Sequence, residues 1–320
     1  DVVGVIQTIT MQQGPGEILV AMKLHFRSEL SIDDTVHLIN AIEVRMRDPV
    51  LFPSSVKGLK AWQGRRWLDG FRQAHLALMR DVDVIANIMA ANAEFYARQG
   101  HPRSIYLRSL WSDCAVSPPP SHREPVKIIG HAGHLGATGG TYGLRYLLVD
   151  VLPRLDEAMA GLAYEVHIFG QGELSPSLRP LVHHPRVVLR GFVEDYDQEL
   201  RSSDVFLLLN NAGPYQGAHT RQIIAWSMGL CLVTHANSQR AIPETRHLEN
   251  ALVGSTPEEI IQGIRLAATD PALNGRLRQG GRVTYERSFH PRLIAEALSR
   301  EFTRLVGVAP TEEQVCAATL

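Results

Sequence analysis

From Val126 to about Val253 the chain alternates apolar strands with helices, and this alternation limits the fold more than any other feature. The predicted strands are short apolar runs at 127–130, 165–169, 187–190, 205–209, 231–234 and 251–253. Predicted helices lie between them at 142–156, 178–182, 194–201 and 220–228, and three more follow at 257–268, 271–288 and 291–305. Apolar strands separated by helices are typical of a parallel sheet covered on both faces. The sequence therefore predicts an α/β domain with a Rossmann-like parallel sheet over residues 126–308.

The first strand of this region leads into a glycine-rich loop. The segment begins at Val126 and reads VKIIGHAGHLGATGGTYGLRYLL, with glycines at 130, 133, 136, 139 and 140. Glycine lets backbone N–H groups approach a phosphate closely, and a helix N-terminus adds a favourable dipole. The spacing is neither GxGxxG before a helix nor a Walker A sequence, so the loop alone predicts only a general anion site.

Composition excludes several classes of protein. The net charge of −1 gives no overall attraction to nucleic acid or to acidic membranes, so we expect no nucleic-acid partner. No apolar run approaches the ~18 residues that span a bilayer, and no signal peptide is visible, so no transmembrane segment is expected. Three widely separated cysteines, Cys114, Cys231 and Cys316, form no CxxC motif and fit a reducing compartment. These features predict a cytoplasmic protein.

The length of 320 residues suits about two domains, and the first part of the chain is less regular. Residues 1–49 read as two strands and a helix, a β-β-α unit. Residues 50–116 contain a predicted helix at 65–79, a strand at 82–85, a helix at 89–99 and a strand at 104–107. Consecutive prolines mark a linker at 117–125, and residues 309–320 read as a tail.

Six segments in a fixed order resemble a known family. After the glycine-rich loop come VHIFGQGE at 166–173, VVLRGFVED at 187–195, LRSSDVFLLLNN at 200–211, QGAHTRQIIAWSMGLCLV at 216–233 and AIPETRHLENALV at 241–253. Together they resemble the C-terminal, donor-binding lobe of GT-B fold glycosyltransferases of the retaining, nucleotide-sugar class. Residues 62–113 resemble the closing part of a partial N-terminal lobe of the same family, so the resemblance covers about 60–305.

The resemblance implies a donor site at the carboxyl ends of the strands, where ligands of open α/β sheets bind. The first loop would approach the donor diphosphate, and residues 170–172 would lie near the nucleotide. Residues 216–221 would face the sugar and the ribose. No catalytic residue is assigned, and the nucleotide sugar is a substrate, so no cofactor is expected. The implied donor-binding residues are Gly133, Gly136, Thr138, Gly139, Gly140, Gly170, Gly172, Glu173, Asn210, Asn211, Gln216, Gly217, His219 and Arg221.

The chain departs from the family at its charged positions. Two glutamates of the family commonly bind the donor hydroxyls, and this chain has Gln216 and Ile224 at their positions. The family also tends to bind the diphosphate with an Arg and a Lys, and this chain has His131 and Tyr142 there. Arg221 and Arg145 are nearby cations that could substitute for them. No metal is expected, because no carboxylate or cysteine completes a ligand set around the histidines of this edge, which are His131, His134, His219 and His235.

Residues 1–48 resemble a different family, the cytosolic domain of cation diffusion facilitators. That resemblance implies metal sensing and dimerisation, so a homodimer formed through this unit is expected. Three functions therefore stay open at this point. The chain is a glycosyltransferase with an unknown acceptor, a degenerate non-catalytic protein that binds a nucleotide sugar or a partner, or a fusion with a metal-sensing and dimerisation domain.

Overall fold

The structure is a computed structural model that describes residues 82–114, 116, 124–212 and 220–306, with Gln73, Leu76, Ala77, Met79 and Arg80. The chain divides into two compact units. Unit 1 contains the residues up to Ser109 together with those from Ile294 onward, and unit 2 contains Leu110–Leu293. The division thus falls at 109/110 and 293/294, whereas the sequence favours boundaries at 117–125 and 308. The β-β-α unit predicted at 1–49 lies outside the described residues.

The regular elements alternate along the described chain. The strands are β1 (Ile85–Asn87), β2 (Ser104–Tyr106), β3 (Val126–Ala132), β4 (Tyr164–Phe169), β5 (Val187–Gly191), β6 (Val205–Leu208), β7 (Leu232–His235) and β8 (Leu252–Gly254). The α-helices are α1 (Ala90–Arg98), α2 (Thr138–Arg145), α3 (Leu152–Ala158), α4 (Tyr196–Arg201), α5 (Thr220–Ser227), α6 (Ser238–Ala241), α7 (Pro257–Thr269), α8 (Pro271–Ser288) and α9 (Pro291–Val306). A π-helical segment at Tyr146–Val151 joins α2 to α3.

In unit 1, β1 and β2 pair in parallel and α1 connects them. The ring of Tyr96 on α1 is buried against Ile85 of β1. Arg103, next to β2, donates from Nε to Glu301 Oε2 at 2.9 Å and from Nη2 to Glu301 Oε1 at 2.5 Å, and Glu301 lies on α9. Such forked pairing between a guanidinium and a carboxylate fixes the relative orientation of both groups. The C-terminal helix is therefore held to a segment about two hundred residues earlier in the chain.

Unit 2 is built on one six-stranded sheet with the order β5-β4-β3-β6-β7-β8. Every neighbouring pair in this sheet is parallel. This is the doubly wound order in which the direction of winding reverses at the first strand, here between β3 and β6. A crevice at the carboxyl ends of the strands, at this reversal, is where ligands of such sheets bind. The predicted α/β class and parallel sheet are confirmed.

The sheet forms because its strands are apolar on both faces. Ile128 and Ile129 of β3 and Val205 of β6 are fully buried, as expected for strands covered by helices on both sides. All six predicted strands are present to within two residues at either end. Helix α8 has the predicted bounds, and α7 begins at a capping box formed by Thr256 and Glu259.

Two helix predictions in unit 2 were wrong in their extent. The first helix begins at Thr138, not at Tyr142, so Gly139 and Gly140 belong to its first turn. Glycine is a poor helix former, but Gly140 packs closely against His131 and the His134 carbonyl, and tertiary packing can override propensity. The helix predicted at 178–182 is reduced to turns and a 3₁₀ segment at Leu181–His183, because Pro180 lacks the N–H that an α-helix needs.

Leu248 is a site of local strain in the turn before β8. It has a φ of +65°, the one left-handed non-glycine residue in the described chain, and its side chain is 53% exposed. A branched apolar side chain is unfavourable in the left-handed backbone conformation, whereas asparagine tolerates that conformation.

We expect Leu248→Asn to raise the free energy of unfolding by about 1 kcal/mol, measured by thermal or urea unfolding. Leu266→Asn, an exposed leucine inside α7, is the control and should be destabilising.

Candidate functional site

The loops that follow β3 and β4 pack backbone against backbone. Gly133 N–H donates to Phe169 O at 3.2 Å, and Leu135 N–H donates to Gln171 O at 2.8 Å. A Cβ added at Gly170 would lie 1.7 Å from the carbonyl oxygen of Gly133. Only glycine fits there, and Gly170 also has a left-handed φ of +146°. The structure thus brings together two of the predicted site residues, Gly133 and Gly170.

His134 fills the outer part of the same junction. Its Nδ1 accepts a hydrogen bond from the N–H of Gly136 at 3.1 Å. A Cβ at Gly172 would lie 2.6 Å from His134 Cε1, so the imidazole rests directly on the second loop. Glu173 is close through its backbone, but its carboxylate pairs with Arg179 on the surface at 2.9 Å. The predicted Gly136 and Gly172 therefore lie at the site, while the Glu173 side chain is turned to another partner.

Helix α2 points its N-terminus at this junction without a side-chain cap. The N-cap residue, Ala137, offers no side-chain acceptor to the first turn. The first-turn N–H groups of a helix have no intrahelical partner and carry a partial positive charge. Two of these residues are Gly139, which is partly exposed, and Gly140, which is buried against His131. Of the predicted Thr138 the structure describes only the backbone.

Arg221, in the first turn of α5, reaches the carboxyl end of β3. Its Nη1 donates to Ala132 O at 2.5 Å and would lie 3.1 Å from a Cβ at Gly133. Burial lowers the pKa of the guanidinium, and the neighbouring Tyr196 opposes that shift. An arginine still keeps its charge at neutral pH. Among the described residues no carboxylate pairs with Arg221.

His131 lies beside Arg221 and carries no charge. It is 3% exposed, and burial, with a smaller contribution from Arg221, lowers its pKa to about 3. Tyr142 is inside α2 and Arg145 is exposed in the last turn of the same helix. The positive charge contributed at the carboxyl end of β3 therefore comes from Arg221. The sequence named this arginine as a substitute for the family's cations but did not show what it contacts.

The remaining predicted residues lie further along the edge or outside the described chain. Asn210 backs onto α2, because a Cβ at Gly143 would lie 2.9 Å from Asn210 Oδ1. Asn211 is fully buried, and its carbonyl accepts from Asn237 Nδ2 at 2.8 Å. Sequence reasoning missed Gly143 and Asn237, although a glycine inside a helical pattern is a signal of close packing. The predicted Gln216, Gly217 and His219 lie outside the described residues.

Two further properties of the described chain bear on function. Within it, no group of three or more His, Cys, Asp and Glu side chains is arranged to hold a metal ion. None of its helices combines the length and the apolar character that crossing a membrane requires. The homodimer expected through residues 1–48 falls on residues that are not described, and it stays a prediction.

The doubly wound sheet of unit 2 has the architecture of a lobe of the GT-B fold. Residues 126–270 match the family model described as glycosyl transferases group 1. This match and the structural neighbours below confirm the predicted resemblance to GT-B glycosyltransferases. They give no support to the resemblance of residues 1–48 to cation diffusion facilitators. No curated protein matches the chain.

Three solved structures show the same fold at low sequence identity. Sucrose-phosphate synthase from Thermosynechococcus elongatus matches with a TM-score of 0.59 and 13% identity, over 75% of this chain and 62% of that one. Anabaena HepE in complex with UDP and glucose matches with a TM-score of 0.57 and 14% identity, over 73% of this chain and 68% of that one. A glycosyltransferase from Rickettsia africae matches with a TM-score of 0.54 and 11% identity, over 88% of this chain and 85% of that one. The chain thus spans about three fifths of the length of the sucrose-phosphate synthase.

The backbone contact at Gly170 can be tested by adding one methyl group. Gly170→Ala should lower the free energy of unfolding by several kcal/mol, because the new Cβ overlaps the Gly133 carbonyl and the φ is left-handed. Gly161→Ala is the matched control, since its φ is +86° but nothing lies within 4 Å. Urea unfolding of both variants separates steric overlap from backbone strain. Equal losses in the two variants would contradict the close contact.

The buried histidine predicts a pH dependence of stability. His131 has a pKa of about 3 in the folded chain and about 6.5 when unfolded, so between these values the unfolded state binds more protons. Stability should therefore rise with pH in this window and fall on acidification below about pH 6.5. His131→Gln should remove up to about 1.4 kcal/mol per pH unit of that slope between pH 6.5 and 5, measured by urea unfolding. Identical slopes in both proteins would show that His131 is not held neutral by burial.

Proposed function

We propose that the chain transfers a sugar from a nucleotide-sugar donor to an acceptor. The observation that carries this proposal is Arg221, a half-buried cation without a carboxylate partner among the described residues, placed where the sheet reverses its winding. An unpaired cation in such a place is suited to an anionic ligand. The neighbouring N-terminus of α2, uncapped and rich in glycine, adds backbone donors for the same anion.

In this proposal the protein acts mainly on the leaving group. The bond between the sugar's anomeric carbon and the diphosphate oxygen breaks, and negative charge develops on the nucleoside diphosphate. Arg221 and the first-turn N–H groups of α2 stabilise that charge, which accelerates the reaction because they are already oriented. The acceptor hydroxyl oxygen bonds to the anomeric carbon, and its proton passes to the departing nucleoside diphosphate. The reaction as proposed needs no cofactor beyond the donor.

We propose that the donor site consists of the residues that the sequence singled out. The junction of Gly133, Gly136, Gly170 and Gly172 and the contact of Arg221 with Ala132 support this assignment. The full set comprises Gly133, Gly136, Thr138, Gly139, Gly140, Gly170, Gly172, Glu173, Asn210, Asn211, Gln216, Gly217, His219 and Arg221. The complex of HepE with UDP and glucose makes UDP sugars the first donors to test.

One observation favours a second function, a non-catalytic protein that binds a nucleotide sugar. Ile224 occupies the position of the family's second glutamate, and it is 4% exposed on α5. A buried isoleucine cannot accept hydrogen bonds from a ribose diol. Measurement of UDP release from UDP-glucose separates the two functions, because a binding protein would bind the donor without turning it over.

We further propose a cytoplasmic location for the protein. In the described part of the chain Cys114 and Cys231 are free thiols, and Cys231 is buried. Free thiols are typical of proteins from reducing compartments.

Arg221 provides the direct test of the donor site. We expect Arg221→Ala to weaken the binding of UDP and UDP-glucose by at least about tenfold in calorimetry, because the diphosphate loses its charged partner. Arg221→Lys should recover part of the affinity, since lysine keeps the charge but not the planar fork.

Arg154→Ala is the matched control, because this exposed arginine of α3 pairs with Glu258 on the surface. Its affinity for UDP should equal that of the wild type. Unchanged affinity in Arg221→Ala would remove this residue from the site. A wild-type chain that binds none of UDP-, GDP- and ADP-sugars would overturn both functions.

A further inference from the structure

His134 lies in the loop between β3 and α2, and the backbone of two glycines holds its imidazole. A Cβ added at Gly136 would lie 3.3 Å from His134 Cε1, and a Cβ added at Gly172 would lie 2.6 Å from the same atom. The histidine and both glycines are exposed, so the ring lies at the surface of the loop junction. Because neither glycine has a side chain, the ring has a defined place there and stays within reach of a ligand.

A hydrogen bond inside this loop determines which ring nitrogen carries the proton. Nδ1 of His134 accepts from the N–H of Gly136 at 3.1 Å, so Nδ1 has no proton in the neutral ring. The proton of the neutral ring is therefore on Nε2, which becomes a hydrogen-bond donor. Among the described residues this Nε2 has no acceptor.

Other histidines of the described chain make the same turn, in which Nδ1 accepts the N–H two residues later: His101, His184, His235 and His290. In the first three, Nε2 lies within 3.4 Å of a protein oxygen, on Val82, Asp156 and Ser255 respectively. The turn itself is therefore ordinary local structure. His134 differs from these three because its Nε2 donor is unused and lies at the junction of the two loops.

The neighbouring groups indicate which acceptor suits this donor. Arg221 lies at Gly133, the residue before His134, and the uncapped first turn of α2 follows in the same loop. The carboxylate of Glu173 pairs with Arg179 instead of the imidazole. The guanidinium, the first-turn N–H groups and the imidazole N–H are all hydrogen-bond donors. A phosphate group suits them, because its oxygens are charged and accept from several donors at once.

We propose that His134 is a further binding residue for the diphosphate of the nucleotide sugar, to which it donates a hydrogen bond from Nε2. This inference rests on the proposed donor site and adds a residue to it. Arg221 supplies the fixed charge, and His134 supplies a directional donor from the loop junction. The bond from Gly136 orients the ring and fixes its tautomer before the ligand arrives, which lowers the cost of binding.

Two variants separate the roles of the two ring nitrogens. The amide oxygen of His134→Asn reaches the position of Nδ1 and can accept from Gly136, but nothing remains at the position of Nε2. The longer His134→Gln brings an amide N–H to the position of Nε2 and can still donate. His290→Asn is the matched control, because His290 makes the same turn with the N–H of Arg292, at the start of α9.

Calorimetry with UDP, displacement of UDP by uridine, and urea unfolding of the free proteins give the readouts. We expect His134→Asn to bind UDP about tenfold more weakly than the wild type, with no loss of stability because the bond to Gly136 is kept. Its affinity for uridine, which has no phosphate, should be unchanged. His134→Gln should stay within about threefold of the wild type for UDP, and His290→Asn should bind UDP normally. Uridine that displaces UDP from neither protein would also place the affinity in the diphosphate.

Three results would overturn the inference. One is wild-type affinity for UDP in His134→Asn while Arg221→Ala still loses affinity, which removes His134 from an otherwise intact donor site. Another is an equal loss in His134→Asn and His134→Gln, which shows that no donor at Nε2 is involved. The third is an equal loss for UDP and uridine, which makes the nucleoside the partner. If the wild-type chain binds neither UDP nor a nucleotide sugar, the proposed function fails, and this inference fails with it.

Discussion

The direct backbone contact between Gly133 and Gly170 is the constraint on which the candidate site depends. It brings the loops after two neighbouring strands within hydrogen-bonding distance, so the N-terminus of α2 is held close to the end of β3. Arg221 then completes the arrangement from a third element by binding the carbonyl of Ala132. A side chain at position 170 would push the two loops apart. Arg221 would then lose the packed surface at the end of β3 on which its guanidinium lies.

The electrostatic character of the site follows from this packing. Close packing excludes water from the end of β3, and the resulting desolvation keeps His131 neutral while Arg221 keeps its charge. Among the described residues at the end of β3, the charged Arg221 therefore lies beside a neutral His131. This differs from the pattern of the family that the chain resembles, in which an Arg and a Lys flank the first loop.

The sequence predicted the sheet well because its strands are continuous apolar runs, and burial on both faces determines them regardless of distant contacts. The sequence predicted the structure less well where tertiary packing determines the local conformation. Gly139 and Gly140 read as a loop, but both lie in the first turn of α2, where Gly140 packs against His131. The bond from Arg221 to Ala132 joins residues 89 positions apart, which no local pattern reveals. The orphaned Nε2 of His131 was equally invisible, since pairing depends on the final geometry.

The pairing of Arg103 with Glu301 makes unit 1 discontinuous in the chain, and this affects the order of folding during synthesis. Domains commonly fold one after another as they leave the ribosome, starting with the N-terminal one. Here the segment from Leu110 to Leu293 is complete before Glu301 has been translated. The Arg103–Glu301 pair therefore cannot form until all of unit 2 has been translated, so the usual N-terminal-first order need not apply to these two units.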